Sequence, residues 1–157
     1  MKILGIILFS LASLLFSAHA LQSEKRKCEE LEGVYLLLLH MKHAISSEGL
    51  PLSEVYASFQ NRALEGTPFL LALRKHGLAS ALAECPPYLP EGSLRSLSLY
   101  AEGLGKRFRE EENEALAREC ELLFSELDAH RRALPARLKT RRTLLLSGSG
   151  MILLLFI

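Results

Sequence analysis

The sequence predicts an all-α protein: an antiparallel helical bundle in the cytoplasm, flanked by an N-terminal and a C-terminal membrane segment. Three observations predict it. Leu, Ala, Glu and Arg dominate residues 22–142, β-branched residues are few, and no alternating apolar and polar run is bounded by hairpin turns. Apolar residues recur there at steps of three and four, the period of one helix face. The longest uncharged runs lie at the two ends of the 157-residue chain, outside most of its charge. A composition of 49% hydrophobic and 24% charged residues, 19 basic against 18 acidic, suits one ordinary domain and excludes a disordered polyelectrolyte.

The first element is an anchor over residues 1–21. Ile3 to Leu21 carries no formal charge, and as a helix rising 1.5 Å per residue those residues cover ~28 Å, close to the hydrocarbon thickness of a bilayer. A cleaved signal peptide is the alternative: Lys2 would be its basic region and Ala18-His19-Ala20 its small-x-small site, leaving an exported helical binding module. Lys25, Arg26 and Lys27 follow at once, and positive charge on that flank resists translocation, so an uncleaved anchor is expected. Within it Ser10, Ser13, Ser17 and Ala20 form a small-residue stripe. The stripe reads either as a surface for self-association or for packing on the C-terminal segment, or as part of an ordinary single-pass anchor.

A first cytoplasmic helix continues from the anchor through Leu31, Val34, Tyr35, Leu38, Met41 and Ile45, and stops near Glu48-Gly49, because Pro51 cannot extend it. Pro51-Leu52-Ser53-Glu54 opens a second, with Leu52, Val55, Phe59 and Ala63 inward, broken at Gly66. Thr67 is the expected N-cap of a third, with Pro68 in its first turn, Phe69, Leu70 and Leu73 on its apolar face, and His76-Gly77 at its end. Leu78 to Ala83 reads as an apolar turn leading to the Cys85-Pro86-Pro87 loop. Ser93 begins a helix with Leu94, Leu97, Leu99 and Tyr100, closed by Gly103-Leu104-Gly105.

The last helix carries Leu116, Cys120, Leu123, Leu127, His130, Leu134 and Leu138 at spacings of 4, 3, 4, 3, 4 and 4, a packing seam. Its opposite face, with Arg109, Glu110, Glu112, Glu119, Glu126 and Arg131, reads as solvated. Pro135 is expected to kink or end it. Beyond lie Arg137, Lys139, Arg141 and Arg142, then the uncharged run Leu144–Ile157, so that residues 143–157 form the C-terminal membrane segment. With Lys25, Arg26 and Lys27, these cations are the expected topology determinants, holding residues 22–142 in the cytoplasm. Cys28, Cys85 and Cys120, odd in number and widely spaced, suit a reducing compartment.

No chemistry-bearing constellation is apparent. His40 and His43 stand three apart without further ligands nearby, Glu126 and His130 form no repeated Glu-x-x-His pair, and Gly103-Leu104-Gly105 lacks the rest of a dinucleotide fingerprint. Neither an enzyme nor a cofactor or metal is expected. From Cys28 to His130 there are 9 basic and 17 acidic residues, 9 − 17 = −8, which repels nucleic acid and attracts a basic protein surface. Glu110, Glu111 and Glu112 are the candidate partner-docking residues.

Four short motifs, in order, resemble one family. Ile3-Leu4-Gly5 resembles an apolar-Gly opening in an anchor, Pro51-Leu52-Ser53-Glu54 a Pro-Leu helix start, Leu104-Gly105 a Leu-Gly before the last charged helix, and Arg142-Thr143-Leu144 a C-terminal segment. Together they resemble the stage III sporulation protein AB family. Glu111-Glu112-Asn113, Leu145 and Pro135 depart from the family pattern. The resemblance implies a helical bundle similar to the F-type platform protein of type II secretion systems, in the mother-cell membrane around the forespore. It also implies a non-enzymatic role in a feeding channel, with the other stage III channel proteins and a secretion-type ATPase of the same operon, of the AA kind, as partners.

Overall fold

The computed structural model describes the backbone at 2–48 and 50–156, and side-chain surroundings at 19, 22–46, 50–137, 139, 140 and 143. The fold is all-helical: α1 (Lys2–His43) runs into a π-helical turn (Ala44–Glu48), followed by α2 (Leu52–Ser58), α3 (Pro68–His76), α4 (Leu78–Glu84), α5 (Glu91–Gly103) and α6 (Arg109–Phe156). The chain divides into two compact units, one of residues 27–128 and one of residues 1–26 with 129–157.

The 27–128 unit holds the core. The expected stripe of α1 is buried at Leu31, Val34, Leu38 and Met41, with Leu37 added, and the expected seam of α6 is buried at Leu116, Cys120, Leu123 and Leu127. Each fully buried leucine contributes about 1.5–3 kcal/mol of transfer free energy. Leu97, Tyr100 and Ala101 of α5, and Phe69, Leu70 and Leu73 of α3, complete the interior. Across the unit's surface Tyr35 of α1 and Phe124 of α6 meet with ring centroids 5.8 Å apart.

Several boundaries differ from expectation, each for a local reason. The second helix ends at Ser58, not near Gly66, because Asn61 offers the backbone an alternative: its Oδ1 accepts from the amides of Ala63 (2.9 Å) and Leu64 (3.3 Å). Phe59 is buried past the helix end, its carbonyl accepting from Arg74 Nη2 at 2.9 Å, while Ala63 lies half-buried in the turn. Leu78–Glu84 is a helix rather than a turn. Gly77, at φ +83°, closes α3 through its amide to the Leu73 carbonyl (3.0 Å) and is at once the residue preceding α4. The helix expected from Ser93 starts at Glu91, where Pro90 offers its carbonyl to Leu94, and within it Leu99 is 61% exposed. Thr67 and Pro68 stand as expected, with Thr67 Oγ1 accepting from the Leu70 amide at 3.3 Å.

Pro135 neither ends nor interrupts α6. It deletes one backbone donor in a 48-residue helix, a local loss of about 3 kcal/mol that the turns on both sides outweigh. Along the seam His130 and Leu134 are half-buried, and Leu138 lies outside the described side chains. In the other unit Glu24 of α1 is 7% exposed and lies 3.9 Å from Arg137 of α6. Among the described residues no helix is long and apolar enough to cross a membrane. The apolar runs expected at 1–21 and 143–157 fall, His19 and Thr143 apart, on residues whose side chains lie outside those described.

Candidate functional site

The connection before α6 and the first turn of that helix carry a polar cluster in the 27–128 unit. Arg109, the first residue of α6, donates through Nε to the carbonyl of Ile45 at 2.9 Å and through Nη2 to that of Ser46. A guanidinium there satisfies carbonyls left open where the helical run ends in the π-turn, and complements the negative end of the helix dipole.

One turn on, the three candidate docking glutamates separate. Glu110 and Glu111 are exposed, but Glu112 is only 5% exposed, which corrects its placement on a solvated face. Neither oxygen of Glu112 has a hydrogen-bond partner; its nearest cation is Arg107, at 3.8 Å. Arg107 also lies over the Tyr100 ring, 5.8 Å from its centroid. Its guanidinium rests so close to Gly103 that a Cβ there would fall 2.6 Å from Nη2 and would push the flexible Arg107 side chain aside. Burial above all, and then the Glu112 carboxylate beside it, push the Tyr100 hydroxyl far above the ordinary phenol range, although the two do not meet in hydrogen-bond geometry. Burial likewise pushes Tyr56 up to about 12. Beside this cluster opens a pocket of about 270 Å³, walled by Ile45, Leu50, Leu52 and Leu104 with Arg107, Arg109 and Glu112.

The spacing of the α6 seam itself reaches Glu112. Stepping back four residues from Leu116 along the seam lands on 112. Glu119, also expected on the solvated face, is half-buried and accepts a 2.7 Å hydrogen bond from Ser96 of α5.

The cations expected to determine topology are scattered in their surroundings. Lys25, Arg26, Arg137 and Lys139 are exposed; Lys27 is half-buried with its ammonium 5.0 Å from the Tyr88 ring centroid; Arg141 and Arg142 lie outside the described side chains. The Tyr88 amide donates to Glu30 at 3.1 Å, so the loop before α5 is fastened to α1 by two neighbouring turns. Of the histidine pair, His40 is hydrogen-bonded to Ser58 (3.1 Å) and tilted against Phe59, and His43 is exposed. Among the described residues no group of three or more His, Cys, Asp or Glu side chains is placed to hold a metal ion. Cys28, Cys85 and Cys120 are free thiols, and burial pushes that of Cys120 up.

No protein-family model, curated protein or solved structure matches the chain.

Proposed function

We propose that this chain is a non-enzymatic membrane platform subunit, built on the plan that its motifs resemble in the stage III sporulation protein AB family. In this reading residues 1–21 and 143–157 enter the bilayer of the mother-cell membrane, and 22–142 form a cytoplasmic bundle that docks a secretion-type ATPase of the AA kind within a sporulation channel. The observation that carries it is the approach of Glu24 to Arg137. Glu24 directly precedes Lys25 and Arg26, and Arg137 is the first of the expected C-terminal topology determinants, so their contact supports a hairpin with both basic flanks at one membrane face.

The docking surface in this reading is Glu110 and Glu111, both exposed on a segment of net charge −8. Glu112 is removed from it, since its carboxylate is turned away from solvent.

A reporter active only outside the cytoplasm, fused in the Cys85–Pro90 loop, tests the topology: silence is expected, and activity there would overturn the reading. Intact mass of the membrane-bound protein is the companion measurement. Loss of the mass of Met1–Ala20 would replace the hairpin by an exported helical binding module. For the partner, the double substitution Glu110→Lys and Glu111→Lys should leave the helical signal intact and reduce recovery of the ATPase; undiminished recovery rejects that face.

A further inference from the structure

A buried carboxylate without hydrogen-bond donors is costly, and each such group in a folded protein calls for an explanation. Glu112 is such a group: it is 5% exposed, neither oxygen is in hydrogen-bond geometry, and its polar neighbours are the Tyr100 hydroxyl beside it and the Arg107 guanidinium at 3.8 Å. It is also a wall of the 270 Å³ pocket, which Ile45, Leu50, Leu52 and Leu104 line with aliphatic side chains beside Arg107 and Arg109. At about 30 Å³ per water-sized group the pocket holds about nine such groups, the size of a short chain rather than of a nucleotide or a cofactor.

Of its two arginines, Arg109 is committed to the carbonyls of Ile45 and Ser46. Arg107 is not committed in the same way. Its side chain is 35% exposed, it precedes α6 in the connection Leu104–Phe108, and at 3.8 Å it is too far from Glu112 for a strong charge-assisted hydrogen bond. Gly105, at φ +78° with open space around it, and Phe108, 82% exposed, flank it in that connection. A cation with a compact head could therefore take the place of Arg107 beside Glu112. Exposed Glu110 and Glu111 in the same helical turn favour its approach.

We infer that the pocket between the π-turn, α2 and the start of α6 binds an aliphatic primary amine, its ammonium displacing Arg107 from the Glu112 carboxylate and its chain lying on Ile45, Leu50, Leu52 and Leu104. An ammonium brings three donors on one small centre, which a buried carboxylate with two open oxygens can use. A carboxylate ligand would instead face Glu112 with like charge, and a plain hydrocarbon would leave the oxygens unpaired. The inference does not rest on the membrane reading, because every residue in it belongs to the 27–128 unit.

The test uses the full-length protein in detergent micelles, with n-hexylamine as probe and hexan-1-ol and hexanoate as controls of equal chain length, followed by backbone amide chemical shifts. Saturable shifts at residues 45–52 and 104–112 are expected with hexylamine, and non-saturating shifts with both controls. Glu112→Gln should weaken binding about tenfold to a hundredfold, the loss of a charge-assisted contact. Arg107→Gln removes the competing cation and should tighten binding severalfold; this variant decides the matter if Glu112→Gln does not fold. Nα-acetyl-lysine amide forms a further arm: tighter binding than hexylamine assigns the ammonium to a protein lysine, weaker binding to a free amine. Hexan-1-ol binding as well as hexylamine, no saturation by hexylamine, or an affinity that Arg107→Gln leaves unchanged or lowers would each overturn the inference.

Discussion

Gly33 in the middle of α1 lies directly against Leu64: a Cβ built on Gly33 would fall 2.7 Å from Leu64 Cγ and 3.2 Å from Asn61 Oδ1. The glycine is not there for backbone freedom, since it sits inside a regular helix. It makes a flat site on α1 that admits a leucine from the irregular stretch between α2 and α3, and Leu64 is fully buried as a result.

Gly33→Ala therefore sets two effects against each other. Alanine gains about 1 kcal/mol in helix propensity, while the methyl group meets the branch carbon of a buried leucine, an overpacking that costs about 1–3 kcal/mol. A net loss of stability is expected, read as a lower urea midpoint. A midpoint equal to or above that of the parent would show that Leu64 yields without cost.

Thr67 has two hydrogen bonds to lose. Its Oγ1 accepts from the Leu70 amide at 3.3 Å and donates to the Leu64 carbonyl at 2.6 Å, joining the α3 N-terminus to the turn before it. Thr67→Ala should cost about 1–2 kcal/mol, with serine in its place restoring most of it. Thermal unfolding of the three proteins checks this, and equal melting temperatures would contradict it.

Alkaline pH should unfold the body by way of its buried phenols. Tyr56 ionises at about 12 in the fold against 10.0 in an exposed chain. Its contribution is complete below pH 10 and is lost as the pH rises through 12, because between those limits the unfolded chain binds fewer protons. The loss reaches about 2–3 kcal/mol. In Tyr56→Phe the difference in urea midpoint between pH 8 and pH 11.5 should shrink relative to the parent. An unchanged difference would mean that this hydroxyl does not carry the effect. Tyr100, raised further still, should contribute in the same direction.

The seam of α6 admits a sharper test. Leu123 is fully buried, and Leu123→Asp would place a carboxylate among aliphatic neighbours with no partner, a cost of several kcal/mol that consumes much of the stability of a small domain. Loss of cooperative unfolding is expected, whereas Phe124→Asp, one residue along and 54% exposed, should leave it. Similar unfolding curves for the two variants would disprove the facing assigned here.

Much of this architecture was legible from spacing. The stripes of α1 and α6, the Thr67-Pro68 start of α3 and its end at Gly77 each follow from local chemistry: a period, a cap, a missing donor, a glycine in the left-handed region. The helix at Leu78–Glu84 was less legible, because seven residues are too few to display a period, and its stability comes from the packing of Leu78, Ala81 and Leu82. The early end of α2 depended on whether Asn61 would compete with the helix, which composition does not settle.

The two buried glutamates mark the division most clearly. Glu24 stands one turn before Cys28 on the stripe of α1, and Glu112 one turn before Leu116 on the seam of α6, so periodicity alone decides which face each shares. Whether that face is covered at that turn is decided by residues on other elements or far along the chain: Arg137 approaches Glu24, and Tyr100 of α5 lies beside Glu112. Sequence by itself determined helix, face and charge, because these arise within a few residues along the backbone. Only the tertiary structure decided which carboxylates leave water, because desolvation is imposed by neighbours that spacing along one helix does not name.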